Sequence, residues 1–186
     1  IMNRNRPSEH RLSDNHSFRR PWYMMMFPRI LSAAAQRRLQ AHLKKGGLVA
    51  YPTESCYGLG CVPTLPKALN QLIHLKKRPQ HKGMIVIGHS LEQLQPLLQR
   101  LSENIQTMLH EAWPAPKTFL LPAGKKVLPS LRGKGRSKLA VRVPAHAGAR
   151  RLCQVLEMPL VSTSCNRAGK RACKTEREVR RQFGRK

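Results

Sequence analysis

PKALNQLIHLKKRPQHKGMIVIG, residues 66–88, holds a helix and a buried strand with only a short basic link between them. Pro66 suits the first turn of a helix, where its missing N–H would have had no partner. Leu69, Leu72 and Ile73 then recur at helical spacing, so one face is apolar. Arg78 precedes Pro79 and is biased to extended backbone, so the helix is predicted to stop near Lys77. Met84 to Ile87 is a short uninterrupted apolar run bounded by glycines, the pattern of a strand covered on both faces. Lys76, Lys77, Arg78 and Lys82 crowd the mouth of that strand. Lys76 also occupies the next position of the buried stripe. Two readings of it stand: a cation that faces the helix dipole and snorkels to water, or a buried charge that needs an anion.

The same alternation continues in both directions. Upstream, Ser32 caps a helix over AAAQRRLQAHLKKGG that stops at Gly46 and Gly47, and LVAY reads as a buried strand. A polar turn, PTES, and the glycine-punctuated YGLGCV follow. Downstream, helices are predicted after Ser90 and Ser102. Strands are predicted in KTFLLPA and KLAVRVP, with a Gly- and Lys-rich loop between them. AGARRLCQVL reads as a helix and MPLVSTSCN as a strand entering a polar turn. TEREVRRQFG reads as a closing helix with Thr175 and Glu178 as its capping box. Strands alternating with helices of this length predict one α/β domain with a mostly parallel or mixed sheet over residues 28–186. Residues 1–27 are polar, basic and aperiodic at first, and read as a disordered N-terminal extension.

The chain carries 35 Lys and Arg against 9 Asp and Glu, a formal charge of +26. Thirty of those cations and seven of the carboxylates lie beyond residue 27, so the excess belongs to the domain. Self-repulsion of this size implies phosphate-bearing partners. No apolar stretch approaches the roughly 20 residues of a membrane span. Cys56, Cys61, Cys153, Cys165 and Cys173 show neither zinc spacing nor a disulfide framework and read as reduced thiols of a cytoplasmic protein. Glu54 is the sole carboxylate near the PTES and YGLG segments, and it reads equally well as a turn cap or a site residue. A carboxylate dyad or a protein-held two-metal centre is therefore not expected.

Ligands of open α/β sheets bind outside the carboxyl ends of strands. Three polar clusters are predicted there: PTES, the hydroxyls and amide of Ser162, Thr163, Ser164 and Asn166, and Arg142 on an otherwise apolar strand. Convergent Lys and Arg with short hydroxyl and amide groups suit a triphosphate. No phosphate-binding glycine loop is present, so side chains and turn amides would hold it.

Taken in order, VAYPTESCYGLGC, LKKRPQHKGMIVI, WPAPKTFLL, LAVRVP and PLVSTSCNRAG resemble the YrdC-like family of threonylcarbamoyl-AMP synthases. The resemblance implies a twisted mixed sheet with flanking helices around a positively charged cavity. It also implies an ATP-dependent reaction, in which L-threonine and bicarbonate or CO2 give a carbamate that attacks the α-phosphate of ATP. Pyrophosphate leaves, with any Mg2+ carried by the phosphates, and the threonylcarbamoyl-AMP passes to partner proteins that modify a tRNA adenosine beside the anticodon. By the same resemblance Lys76, Arg78 and Lys82 hold the triphosphate, with Lys76 and Arg78 catalytic. Ser164 and Asn166 meet the nucleotide, and Thr53 lies in the threonine pocket with Tyr57 next to it. Thr118 falls near the nucleotide and Arg142 near the substrate carboxylate. Lys117 and Ala168 depart from the residues common in the family, and the chain ends at Lys186, short of the usual C-terminal segment. The competing expectation is a non-catalytic RNA-binding or ribosome-assembly factor using the basic concavity. The low-charge PTESCYGLG segment, which RNA coating does not require, favours the enzyme.

Overall fold

The structure, a computed structural model, describes residues 22–24, 32–79 and 81–184. In chain order the elements are β1 (Trp22–Met24), α1 (Ala33–Lys44), β2 (Leu48–Pro52), β3 (Tyr57–Gly60), α2 (Pro66–Lys76) and β4 (Ile85–Ile87). Then come α3 (Leu91–Leu94) with a 3-10 turn at Gln95–Leu97, α4 (Glu103–Ala112), β5 (Phe119–Pro122), α5 (Pro129–Arg132), β6 (Lys138–Arg142), α6 (Ala147–Leu156), β7 (Leu160–Ser164) and α7 (Glu176–Phe183). The seven strands form one sheet in the order β1-β2-β3-β7-β4-β6-β5.

The sheet is mixed. Parallel ladders join β1 to β2 and β4 to β6, and the other four ladders are antiparallel, so the mostly parallel option is set aside. Antiparallel neighbours need only short links, and YGLG supplies one of them: it is strand β3, a hairpin partner of β2, rather than irregular punctuation. The expectation of a disordered extension over residues 1–27 falls mostly outside the described residues. Within it, Trp22–Met24 forms the edge strand β1, beside Leu48 to Ala50.

Each face of the sheet carries its own core. On one, Leu69 and Leu72 of α2, Leu109 of α4 and Val179 and Phe183 of α7 bury Leu59, Val86, Val141 and Val161. On the other, Leu39 and Leu43 of α1 and Leu152, Cys153 and Leu156 of α6 bury Val49, Tyr51, Ile87 and Leu160. These two helices cover only part of that face. Leu120 of β5 lies on it and is 60% exposed, which marks the side left open.

Glycine shapes the covered part of this face. Gly58 and Gly60 share it with Tyr51, their direct cross-strand neighbour at Gly58. A Cβ on Gly60 would stand 2.6 Å from the Val161 carbonyl and 2.9 Å from the Tyr51 ring. Without side chains there, the ring lies flat on β3 and its hydroxyl donates to Val161 O at 3.2 Å.

Candidate active site

The ladder registers decide which predicted site residues meet. Ser164 pairs with Gly58, Ser162 with Ile85, Ile85 with Ala140, and Ile87 with Arg142. Directly paired residues project to the same face, so Ser162, Ser164 and Arg142 share the open side. Thr53, two residues beyond Tyr51, continues along that face from β2. Its hydroxyl donates to Cys56 O at 2.7 Å and its N–H bonds the same carbonyl at 3.0 Å, which closes the PTES turn. Glu54 reaches across to accept from the His146 N–H at 3.1 Å, so this turn is tied to the start of α6.

The clusters do not all sit at one set of strand ends. β7 runs parallel to β2 and antiparallel to β4 and β6, so Arg142 terminates its strand at the edge opposite Ser164. It lies two residues and two strands from Ser162, about 12 Å by standard sheet spacings. What unites the residues is a sheet face. Thr163 and Tyr57 depart from it: Thr163 pairs with Leu59 and is buried on the other side, and Tyr57, the alternate neighbour of Gly58, projects there too and packs against the core of α2 and α7, where burial raises its pKa.

At the Ser164 edge, the basic and Ser-x-Asn motifs are in direct contact. Lys76, the last residue of α2, is 5% exposed, which removes the snorkelling alternative. Its Nζ donates to the carbonyl of Ser164, to the carbonyl of Asn166 at 2.9 Å and to Asn166 Oδ1 at 3.3 Å. Burial lowers its pKa from the usual 10.5 to about 8, Arg78 nearby adds to that, and the neighbouring Cys165, Cys56 and Cys173 thiols oppose it. Ser164 Oγ donates to Asn166 Oδ1 at 2.6 Å, and Asn166 Nδ2 is held by Arg167 O and Lys170 O. Cys165, between them, is fully buried and anchors the turn from beneath, with its thiol pKa raised by burial.

Lys77 adopts the left-handed conformation, φ 49°, and turns the chain off the helix. Arg78 then folds back on its own loop, donating from Nε to Lys82 O and from Nη2 to Gly83 O at 2.7 Å. Burial lowers its pKa as well. The Lys82 side chain is exposed at this rim. The four cations are thus sorted: Lys76 inside, Arg78 braced along the loop, Lys77 and Lys82 outward.

Beside this edge lies a feature without a counterpart among the predicted clusters, a cavity of about 350 Å3. Ile85, Leu120, Lys138 and Ala140 line it from the sheet, Gly83 from the loop before β4, and Arg132 at the end of α5 and Arg136 from the connection between β5 and β6. Three cations spaced along a Gly-rich loop were its available signal. At the far edge, Arg142 Nε donates to Thr118 Oγ1 at 2.9 Å, which sets Thr118 beside the guanidinium. Among the described residues no group of three His, Cys, Asp or Glu side chains could hold a metal. The five cysteines are free thiols. No helix among the described residues is long and apolar enough to cross a membrane.

Comparison with known proteins gives this arrangement a lineage. Residues 41–186 match the Sua5/YciO/YrdC family, described as "Telomere recombination". The threonylcarbamoyl-AMP synthase of Neisseria meningitidis serogroup A is 79% identical over 161 residues, 87% of this chain and 85% of that protein. The one from Chromobacterium violaceum is 47% identical over 156 residues, 84% of this chain and 80% of its own length. P. abyssi Sua5, solved in complex with L-threonine, superposes with a TM-score of 0.74 at 31% identity over 87% of this chain, which spans just under half (46%) of that larger protein. E. coli YciO shares the fold, with a TM-score of 0.70 at 23% identity over 88% of this chain and 78% of its own. The chain belongs to the Sua5/YciO/YrdC family, whose YrdC-like motifs its sequence carries in order.

Proposed function

We propose that the chain is an L-threonylcarbamoyladenylate synthase, making threonylcarbamoyl-AMP and pyrophosphate from ATP, L-threonine and bicarbonate or CO2. The observation that carries this reading is the contact of Lys76 Nζ with the Ser164–Asn166 turn. It joins two motifs about ninety residues apart at one edge of the sheet, Lys76 reaching the turn from the side that α2 covers, while Thr53 and Arg142 project to the open side. The relative solved with L-threonine supports the choice of amino acid.

The threonine amine adds to CO2 and loses a proton, giving the carbamate. A carbamate oxygen then forms the new bond to the α-phosphorus of ATP as the bond to pyrophosphate breaks. Negative charge builds on the phosphate oxygens, and catalysis consists of meeting it with cations already in place. Arg78 and Lys82 take the leaving pyrophosphate, Lys76 adds its charge from behind the Ser164–Asn166 turn that it holds, and Ser164 and Asn166 orient the phosphates. The cavity rimmed by Arg132, Arg136 and Lys138 adjoins that edge and, at about 350 Å3, lies in the range of small-ligand sites. Thr53 lines the amino-acid pocket, Ser162 stands with Ser164 on the nucleotide side, and Arg142 takes the substrate carboxylate. With no carboxylate cluster to hold a metal among the described residues, any Mg2+ arrives on the ATP phosphates as part of the substrate.

The product passes to partner proteins that modify a tRNA adenosine beside the anticodon, a cytoplasmic role for which the cationic surface is suited. Incubation with ATP, L-threonine and bicarbonate should release pyrophosphate, and omission of threonine should stop it. Lys76→Ala and Arg78→Ala should each lower turnover about a hundredfold or more while the fold survives. Turnover near that of the wild type in either variant would remove the phosphate clamp. Duplex RNA binding without turnover would favour the RNA-binding alternative.

A further inference from the structure

The antiparallel register of β5 on β6 pairs Phe119 with Val141, so the step before it sets Thr118 directly across from Arg142. Both backbones are pinned. The Gly88 N–H bonds Arg142 O at 3.2 Å, and the Ala115 N–H bonds Val143 O at 3.1 Å. Trp113 holds the other strand on either side of Thr118: its Nε1–H donates to Lys117 O at 2.9 Å, and its ring meets Phe119 edge-on with centroids 5.3 Å apart. With both backbones fixed, the remaining freedom belongs to the Arg142 side chain.

A guanidinium can receive a carboxylate through either of two forks, one made of Nε with an Nη and one made of the two Nη groups. In this structure Nε is committed to Thr118 Oγ1. Among the described residues, no carboxylate pairs with Arg142. The end fork is therefore the one available to a ligand.

We propose that Thr118 is a positioning residue for the amino-acid substrate: its hydroxyl, on a strand braced by Trp113, fixes Arg142 through Nε so that the end fork alone receives the substrate carboxylate. This rests on the reading of Arg142 given under the proposed function, and it moves Thr118 from the nucleotide to the amino acid. Val in place of Thr118 keeps the branched shape and removes the acceptor; Ser restores the acceptor.

The test is calorimetric binding of L-threonine to the full chain, together with pyrophosphate release at varied threonine and varied ATP. T118V should weaken threonine binding and raise the KM for threonine about tenfold, with the loss falling on that KM rather than on kcat. The KM for ATP should move less than twofold, and T118S should recover most of the loss. In an R142A background, T118V should add nothing. A rise in the KM for ATP, an unchanged threonine affinity in T118V or a failure of T118S to rescue would each overturn the assignment while leaving the synthase reading intact. A wild-type chain that binds no threonine would remove both.

Discussion

Lys76 shows how one residue can be half legible. The stripe of Leu69, Leu72 and Ile73 already placed it toward the core, and it is buried. Its acceptors lie 88 and 90 residues further along, and no local pattern points to them. Tyr57 is deceptive for the complementary reason: adjacency to the PTES turn implies a shared pocket, whereas alternation along a strand sends neighbours to opposite faces. The lowered pKa of Lys76 has a testable sign. The folded chain holds this proton less tightly than the unfolded chain, so between about pH 8 and 10.5 the unfolded state binds more protons and stability rises with pH; below pH 8 the group's contribution is constant and unfavourable. A bound triphosphate favours the ammonium and opposes that shift. Nucleotide affinity should therefore fall as pH rises through about 8, with proton uptake on binding above that pH and little below it. Calorimetry in buffers of differing ionisation enthalpy at pH 6.5 and 8.5 measures this. Equal uptake at both pH values, or uptake retained in Lys76→Met, would assign the proton elsewhere.

Among the elements, those with side-chain signals were readable and those built on backbone were not. α7 announced itself through Thr175 and Glu178, which form the capping box in both directions. α2 and β4 were read from their apolar patterns. β3 escaped because its alternate positions are Gly58 and Gly60, which have no side chains to show a period, and β1 because three residues are too short to show one, so that the strand is recognised through its ladder alone. α5 is a single turn inside a loop dense with Lys and Gly. The empty positions of β3 carry their own prediction. Gly60→Ala would drive a methyl group into the Val161 carbonyl and the Tyr51 ring. The strand cannot retreat without breaking its ladders to β2 and β7, so the variant should lose about 2 kcal/mol of stability, within the usual range for overpacking. Urea unfolding at neutral pH reads this. A midpoint equal to that of the wild type would mean that Tyr51 has room to move and is not packed tightly against β3.

Over the whole molecule, excess positive charge outweighs every other feature, and it separates the two functional readings. Beyond residue 27 stand thirty Lys and Arg against seven carboxylates, and the ion pairs of Lys or Arg among the described residues are Arg171 with Glu178 and Arg180 with Glu176. Most cations therefore repel one another across solvent, and the repulsion weakens as the Debye length falls from about 30 Å at 0.01 M salt to about 8 Å at 0.15 M. The melting temperature should accordingly rise by a few degrees over that interval, and a flat or falling curve would show that the cations are spaced too widely to matter. The two ligand classes should then respond differently. A short RNA duplex held by exposed lysines releases counterions, and contacts with 6–10 phosphates lose roughly 10³–10⁵ in affinity between 50 and 200 mM salt. On the proposed reading ATP is held at the edge formed by buried Lys76 and braced Arg78, where charge is screened far less. Stabilisation by ATP should persist at 200 mM salt while stabilisation by duplex RNA disappears. The reverse order would mean that the open face evolved to hold a polymer, and that the contact between Lys76 and the Ser164–Asn166 turn is structural rather than catalytic.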